Sequence, residues 1–204
     1  VALLLTLIIV ATSGMPLYAK ETGDKANSFR YENGQSIAKA VPFSTLSPNA
    51  WKKIDGKYYS GDGSVIEGAV AKGIDVSHHQ GTVDWKKAKE DGVEFAIIRC
   101  GFGMNQTKQD DAQWFNNVKG CEENNIPYGV YLYSYADTVK KAQSEAEHVL
   151  RLIKGHTLAY PVYYDIEEKA VLNKLTAEQL GKIAATFVNK VKAEGYQTGI
   201  YSNK

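Results

Sequence analysis

Two carboxylates stand two residues apart in the run Pro161-Val162-Tyr163-Tyr164-Asp165-Ile166-Glu167-Glu168. The apolar and aromatic start of that run has the make-up of a buried strand. Side chains alternate faces along a strand, so Asp165 and Glu167 project to one side about 7 Å apart. Paired acids at the end of a buried strand are costly unless they are hydrogen-bonded, ion-paired or used. Glycosidic bond cleavage uses such a pair: one acid protonates the leaving oxygen while a carboxylate supports the cationic transition state. The plainer reading is two strand-end acids that cap loops or neutralise a nearby Arg or Lys. The octapeptide alone favours the plainer reading, and the elements around it must decide.

Those elements alternate regularly from Lys72 onward. Residues 73–77 read as a strand, 83–91 as a short helix closed by Gly92, 94–100 as a second strand and 110–125 as a second helix. A third strand over 128–135 precedes a helix over 138–154, with Val139, Ala142, Ala146, Val149, Leu150 and Ile153 on one face. The fourth strand covers 160–166. The fourth helix covers 176–194, opened by a capping box of Thr176 with Gln179 and striped by Leu180, Ile183, Ala184, Phe187, Val188 and Val191. Gly195 ends it, and 198–201 begins a fifth strand. Strict strand–helix alternation implies an α/β fold with a parallel sheet and right-handed crossovers. Periodicity fits a barrel or an open sheet, and in both the ligand sits at the carboxyl ends of the strands.

Asp75, Arg99, Tyr135, Asp165, Glu167 and Tyr201 all fall late in their strands. Parity sharpens the pattern. If Asp165 and Glu167 face inward, Val130 and Leu132 supply the helix-facing side of the third strand and leave Tyr131, Tyr133 and Tyr135 inward. On the second strand Ala96, Ile98 and Cys100 face outward and Arg99 inward, and on the fifth Ile200 faces out and Tyr201 in. An inward set of Asp, Arg and Tyr is a poor core but a workable sugar cleft, and the thirteen tyrosines suit it.

The totals exclude other classes. In 204 residues, 23% charged and 44% hydrophobic residues are ordinary for a globular domain. A net charge of +1 with scattered Lys and Arg leaves no nucleic-acid footprint. The uncharged opening from Val1 to Ala19 reads as part of a secretory signal over 1–19, its apolar run being too short for a spanning helix, with an uncleaved anchor as the alternative. That implies a secreted, wall-associated protein with no membrane partner after signal removal. Residues 20–71 read as a linker carrying a short aromatic hairpin, since Asp55-Gly56 lies between short aromatic runs. The hairpin is similar to one copy of the repeats in bacterial cell-wall-binding modules. A single copy has no neighbours to stack on, which favours a hairpin lying against the main domain. Cys100 lies near the top of its strand and Cys121 well down a helix, so the two are expected to be free, buried thiols. His78 and His79 alternate faces if they extend the strand, and no spacing completes a metal site. No cofactor is implied.

Four blocks then carry a resemblance: Lys72-Gly-Ile-Asp-Val-Ser-His-His-Gln-Gly81, Val83-Asp-Trp85, Phe95-Ala-Ile-Ile-Arg99 and Tyr163-Tyr-Asp-Ile-Glu167. In this order they resemble glycoside hydrolase family 25, the bacterial and phage muramidases (lysozymes), over 72–204. The resemblance implies a flattened barrel of five β/α units followed by three strands. It also implies cleavage of peptidoglycan between N-acetylmuramic acid and N-acetylglucosamine by a monomer. It makes Glu167 the general acid, with Asp165 and Asp75 supporting; strand parity puts Arg99, Tyr131, Tyr133, Tyr135 and Tyr201 in position to line the substrate cleft. The family's later strands and their aspartate have no counterpart before Lys204, so an incomplete barrel of about five strands and four helices is expected, as in a fragment. Two other readings compete: a non-catalytic wall-glycan-binding protein, and a family 18 chitinase. The chitinase pattern Asp-x-x-Asp-x-Asp-x-Glu survives here only in its last part, because Tyr160 and Tyr163 hold the earlier positions.

Overall fold

Residues 31–32, 35–36, 51–60 and 63–202 are described in a computed structural model of the chain. The signal expected over 1–19, and nearly all of the linker expected over 20–50, lie outside them. Tyr31–Glu32 (β1) and Gln35–Ser36 (β2) form a two-residue antiparallel pair. Lys52–Ile54 (β3) and Lys57–Tyr59 (β4) form the expected hairpin. Five further strands make a parallel sheet in sequence order: Gly73–Val76 (β5), Phe95–Phe102 (β6), Tyr128–Tyr133 (β7), Val162–Asp165 (β8) and Thr198–Tyr201 (β9). By their contacts, the residues up to Ala96 join Phe115–Ile126 in one unit, and Ile97–Trp114 joins the chain from Pro127 onward in another.

In the first unit the hairpin turns at Asp55 and Gly56, both with positive φ (49° and 77°), as the tightest hairpin turn requires. Tyr58 is buried, and its hydroxyl donates to Glu94. Lys53 Nζ at 2.7 Å and the Lys72 amide at 2.8 Å donate to the same carboxylate. Burial pushes the Glu94 carboxyl up, but these three donors hold it below its ordinary range. The hairpin is thus fastened to the residue that opens β6. On β5, Ile74 and Val76 are buried while Asp75 faces the other way, half-buried. Ser77 caps the turn that follows, and the Ser77 amide donates to Gln80 Oε1 at 2.7 Å. Helix α1 (Trp85–Glu90) buries Trp85 against Gly120, where a Cβ would come within 2.0 Å of the indole.

The second unit carries helices α3 (Val139–Ile153) and α5 (Ala177–Ala193), which pack on each other and on the helix-facing side of β7, β8 and β9. Val130, Leu132, Val162 and Tyr164 are fully buried on that side, as parity requires, with Ala142, Ala146, Val149, Ile183, Phe187 and Val191 among the buried helix residues. Tyr164 stacks on Phe187 at 3.9 Å, 5° from parallel. Ile200 lies on the same side but is half-exposed.

Several elements differ from expectation. Helix α2 (Trp114–Glu123) begins four residues late because Asp110 and Asp111 are engaged elsewhere. The Asp111 amide continues the pairing of β6 by donating to Cys100 O at 2.9 Å, and Asp110 bonds to α3 side chains. Strand β7 stops at Tyr133: the Ser134 amide adds a last rung to Asp165 O, and the Tyr135 amide turns to a side chain of α3. A short helix, α4 (Lys169–Leu172), follows β8; Glu168 Oε1 accepts from the Ala170 amide at 3.1 Å and starts it.

Candidate active site

The second unit gathers the acids at the carboxyl end of β8. In the register of the sheet, Tyr133 of β7 stands beside Asp165 of β8, and Asp165 beside Tyr201 of β9. Neighbouring strands run about 4.8 Å apart, so a Tyr–Asp–Tyr row crosses three strand ends on the face away from the helices. One row lower, Tyr131, Tyr163 and Gly199 align. A Cβ at Gly199 would meet the Tyr163 ring at 2.7 Å, so the glycine leaves room for that ring.

Burial and charge then differentiate the row. Asp165 is 5% exposed, while Tyr201 is 50% and Tyr135 44% exposed. The Tyr133 and Tyr135 rings lie 5.2 Å apart at 56°, and Phe102 meets Tyr135 edge-on at 6.3 Å. Burial pushes the Tyr133 phenol well up, and the charges of Glu168, Glu167 and Asp165 push it further. One protonated phenol therefore stands among three carboxyl groups, and it donates to Glu168 Oε2 at 3.3 Å.

Burial also raises the Glu167 carboxyl above its ordinary range, with the charge of Glu168 as the second cause. Glu168 is held in place by its bonds to Tyr133 and to the start of α4. A raised, half-buried carboxyl keeps its proton to higher pH than a free glutamate does, which is what a group that protonates a leaving oxygen needs.

The other expected site residues are placed differently. Arg99 is buried, and its Nε donates to Asp111 Oδ2 at 2.7 Å, with the guanidinium 5.9 Å from the centre of the Phe102 ring. Burial and Glu168 push the Tyr135 phenol up, and the charge of Arg99 opposes them. Tyr131 is buried in the lower row, its carbonyl accepting from the Cys100 thiol at 3.2 Å. Asp75 belongs to the first unit. Cys100 and Cys121 are free and fully buried, and burial pushes both thiols up. His78 and His79 occupy the capped turn after β5, not alternate faces of a strand; Ser77 and Gln80 curl the backbone so that the rings lie 4.0 Å apart. Among the described residues, no three His, Cys, Asp or Glu side chains are grouped to hold a metal.

Four participants escaped the sequence reading. Tyr163 shares the parity of Asp165 and was within reach of the same alternation rule. Glu168 was visible as a third acid but carried no geometric signal. Phe102 and Asp111 acquire their roles only when the chain after β6 folds back, which no spacing encodes.

Comparison with known proteins gives this arrangement its context. The family model for glycosyl hydrolases family 25 matches residues 74–204. The autolytic lysozyme of Clostridium acetobutylicum is 28% identical over 131 residues, 64% of this chain and 38% of that protein. The structure of the modular autolysin LytC from Streptococcus pneumoniae, in complex with a synthetic peptidoglycan ligand, aligns with a TM-score of 0.56 at 25% identity, covering 80% of this chain and 46% of that one. The bacterial lysozyme of Streptomyces coelicolor shares the fold, with a TM-score of 0.57 at 24% identity over 67% of this chain and 64% of that one. The chain thus spans about two fifths of the length of the clostridial lysozyme. With its family model matched over more than half of its residues, from β5 through the acids of β8 to β9, the chain belongs to glycosyl hydrolases family 25.

Proposed function

We propose that the protein hydrolyses the β-1,4 bond between N-acetylmuramic acid and N-acetylglucosamine in peptidoglycan, with Glu167 as the general acid. The observation that carries this reading is the raised, half-buried Glu167 carboxyl beside the buried Asp165 at the end of β8. Glu167 donates its proton to the glycosidic oxygen as the bond breaks. Asp165 faces the positive charge that develops at the anomeric carbon, and Asp75 supports it in the role the family pattern gives the first-strand aspartate. Tyr135 and Tyr201, half-exposed at the rim, offer flat apolar faces to the sugar rings, and Tyr133 lines the floor. Arg99 and Tyr131 are buried, so they serve the cleft by holding its walls. The partner is the peptidoglycan glycan strand, met by a secreted monomer at the cell wall.

The test is Glu167→Gln in the full chain. Reducing-end release from purified walls should fall by about 10²–10⁴-fold, while sedimentation with walls persists. Release within a few-fold of the parent removes Glu167 as the acid, and wall binding without any release by the parent supports a glycan-binding protein instead.

A further inference from the structure

Glu145 is a fully buried carboxylate on α3 that the proposed chemistry does not use. Its Oε1 accepts from the Tyr135 amide at 2.9 Å. Its Oε2 accepts from the Ser134 hydroxyl at 2.8 Å and from the Tyr164 hydroxyl at 2.5 Å. Ser134 Oγ in turn accepts from the Ala136 amide at 3.2 Å, and the Ser134 amide donates to Asp165 O at 2.9 Å. One side chain therefore grips the segment 134–136, where β7 ends, and the residue just before Asp165 on β8. All three partners can donate to it, and the Ser134 and Tyr164 hydroxyls also lie 2.9 Å from each other, so the four groups form one network.

A buried carboxylate is an expensive way to fill space, since an apolar side chain of similar size would pack the same cavity without a desolvation cost. What the carboxylate adds is direction. The hydroxyl of Tyr164 and the backbone of Ser134 and Tyr135 converge on two oxygens of one planar group, so the strand ends cannot slide past each other without breaking a bond. We propose that Glu145 is a positioning residue that sets the spacing between the Tyr133–Tyr135 wall and the Asp165–Glu167 acids. This rests on the muramidase reading of the site. Glu145 touches no substrate; it acts through Ser134, Tyr135 and Tyr164.

The experiment is steady-state hydrolysis of purified walls by the full chain carrying Glu145→Gln. Gln keeps the volume and one acceptor for the Tyr135 amide, but puts an NH₂ in place of the oxygen that accepts from both hydroxyls. The expected result is a kcat reduced by about 10–100-fold, the scale of a misplacement near 1 Å, with KM within about threefold. Tyr164→Phe keeps the ring stacked on Phe187 and removes one donor, so it should lower kcat less. The effects of the two variants should be non-additive, as expected of groups sharing one bond. Parental kcat in Glu145→Gln, or strict additivity with Tyr164→Phe, overturns the proposal. If Glu145→Gln fails to fold, Tyr164→Phe alone decides, and parental kcat in that variant also overturns it. An inactive parent defeats the muramidase reading, not this one. The amide exchange of Tyr135 and Ala136 then decides: acceleration by about tenfold or more in Glu145→Gln, with β6 amides unchanged, upholds the brace. Unchanged exchange refutes it.

Discussion

Removing the Asp111 carboxylate tests what Arg99 is for. The Arg99 Nε to Asp111 Oδ2 distance is 2.7 Å, and the side chains are 10% and 0% exposed, so this is a buried ion pair. Asp111 also spends its other oxygen on the Gln113 amide at 2.9 Å, just ahead of α2. In Asp111→Ala the Arg99 guanidinium stays buried without its carboxylate. Breaking such a pair costs about 3–5 kcal/mol, with the lost bond to Gln113 inside that range. At roughly 2–4 °C per kcal/mol for a chain of this size, the melting temperature should fall by roughly 6–20 °C. Urea unfolding followed by circular dichroism measures the loss as a shifted midpoint at unchanged slope. The double variant Arg99→Met with Asp111→Leu replaces both charges by apolar groups and should return to within about 1 kcal/mol of the parent. A loss below about 1 kcal/mol in Asp111→Ala would show a solvated pair of the surface kind and refute the reasoning. The double variant also separates two roles for Arg99. A direct sugar contact predicts a raised KM in a stable protein, whereas a residue that only holds the wall predicts a nearly unchanged one.

The remaining predictions concern one ionisation and one close packing contact. Burial and Glu168 raise the Glu167 carboxyl above its ordinary 4.5, so the folded state binds that proton more tightly than the unfolded chain. Stability from this group therefore falls as pH rises from 4.5 toward the folded value. Glu167→Gln should be more stable than the parent near neutral pH and equal to it below about pH 4, read from urea midpoints at both; a constant difference contradicts the sign. Gly120→Ala sets a Cβ about 2.0 Å from the Trp85 indole, which must shift, so a loss of about 1–3 kcal/mol is expected in the same assay.

The legible parts of the fold were those governed by short periodicities. The two-residue alternation of β7 placed Val130 and Leu132 against the helices, with Asp165 of β8 on the opposite face, as found. The Asp55-Gly56 turn was legible for a similar reason, because only positive φ closes so tight a hairpin. What local pattern could not supply was partner choice. Glu94 holding the hairpin, Asp111 holding Arg99, and Glu168 raising Glu167 are each set by three-dimensional proximity. Carboxylates all read alike in a sequence, and the identity of the donor that reaches each one is decided by the fold.

Helix α3 shows why that matters for the site. Of its expected apolar stripe Ala142, Ala146, Val149 and Ile153 are buried, but Val139 is 46% exposed and Leu152 is buried in its place, and Glu145 and His148 are as buried as Ala142 and Val149. Both polar residues reach loops at the carboxyl ends of strands. Glu145 takes the loop after β7. His148 takes the loop after β6, through Gly103 O at 3.0 Å and Asp110 Oδ1 at 2.8 Å. Both His148 ring nitrogens thus lie within hydrogen-bond distance of an oxygen of that loop. Arg151, one turn on, reinforces it with Asp110 at 2.5 Å and Asn105 at 2.7 Å. Burial pushes the Asp110 carboxyl up, but Arg151 and His148 outweigh it and hold it below its ordinary range. A helix meant only to cover the sheet would be more stable with apolar residues at these positions. Directional bonds from behind the sheet are the means by which α3 fixes the loops that carry Tyr135 and Asp110. The acids on β8 are read from eight residues; the geometry that makes them useful is written on a helix that never reaches the cleft.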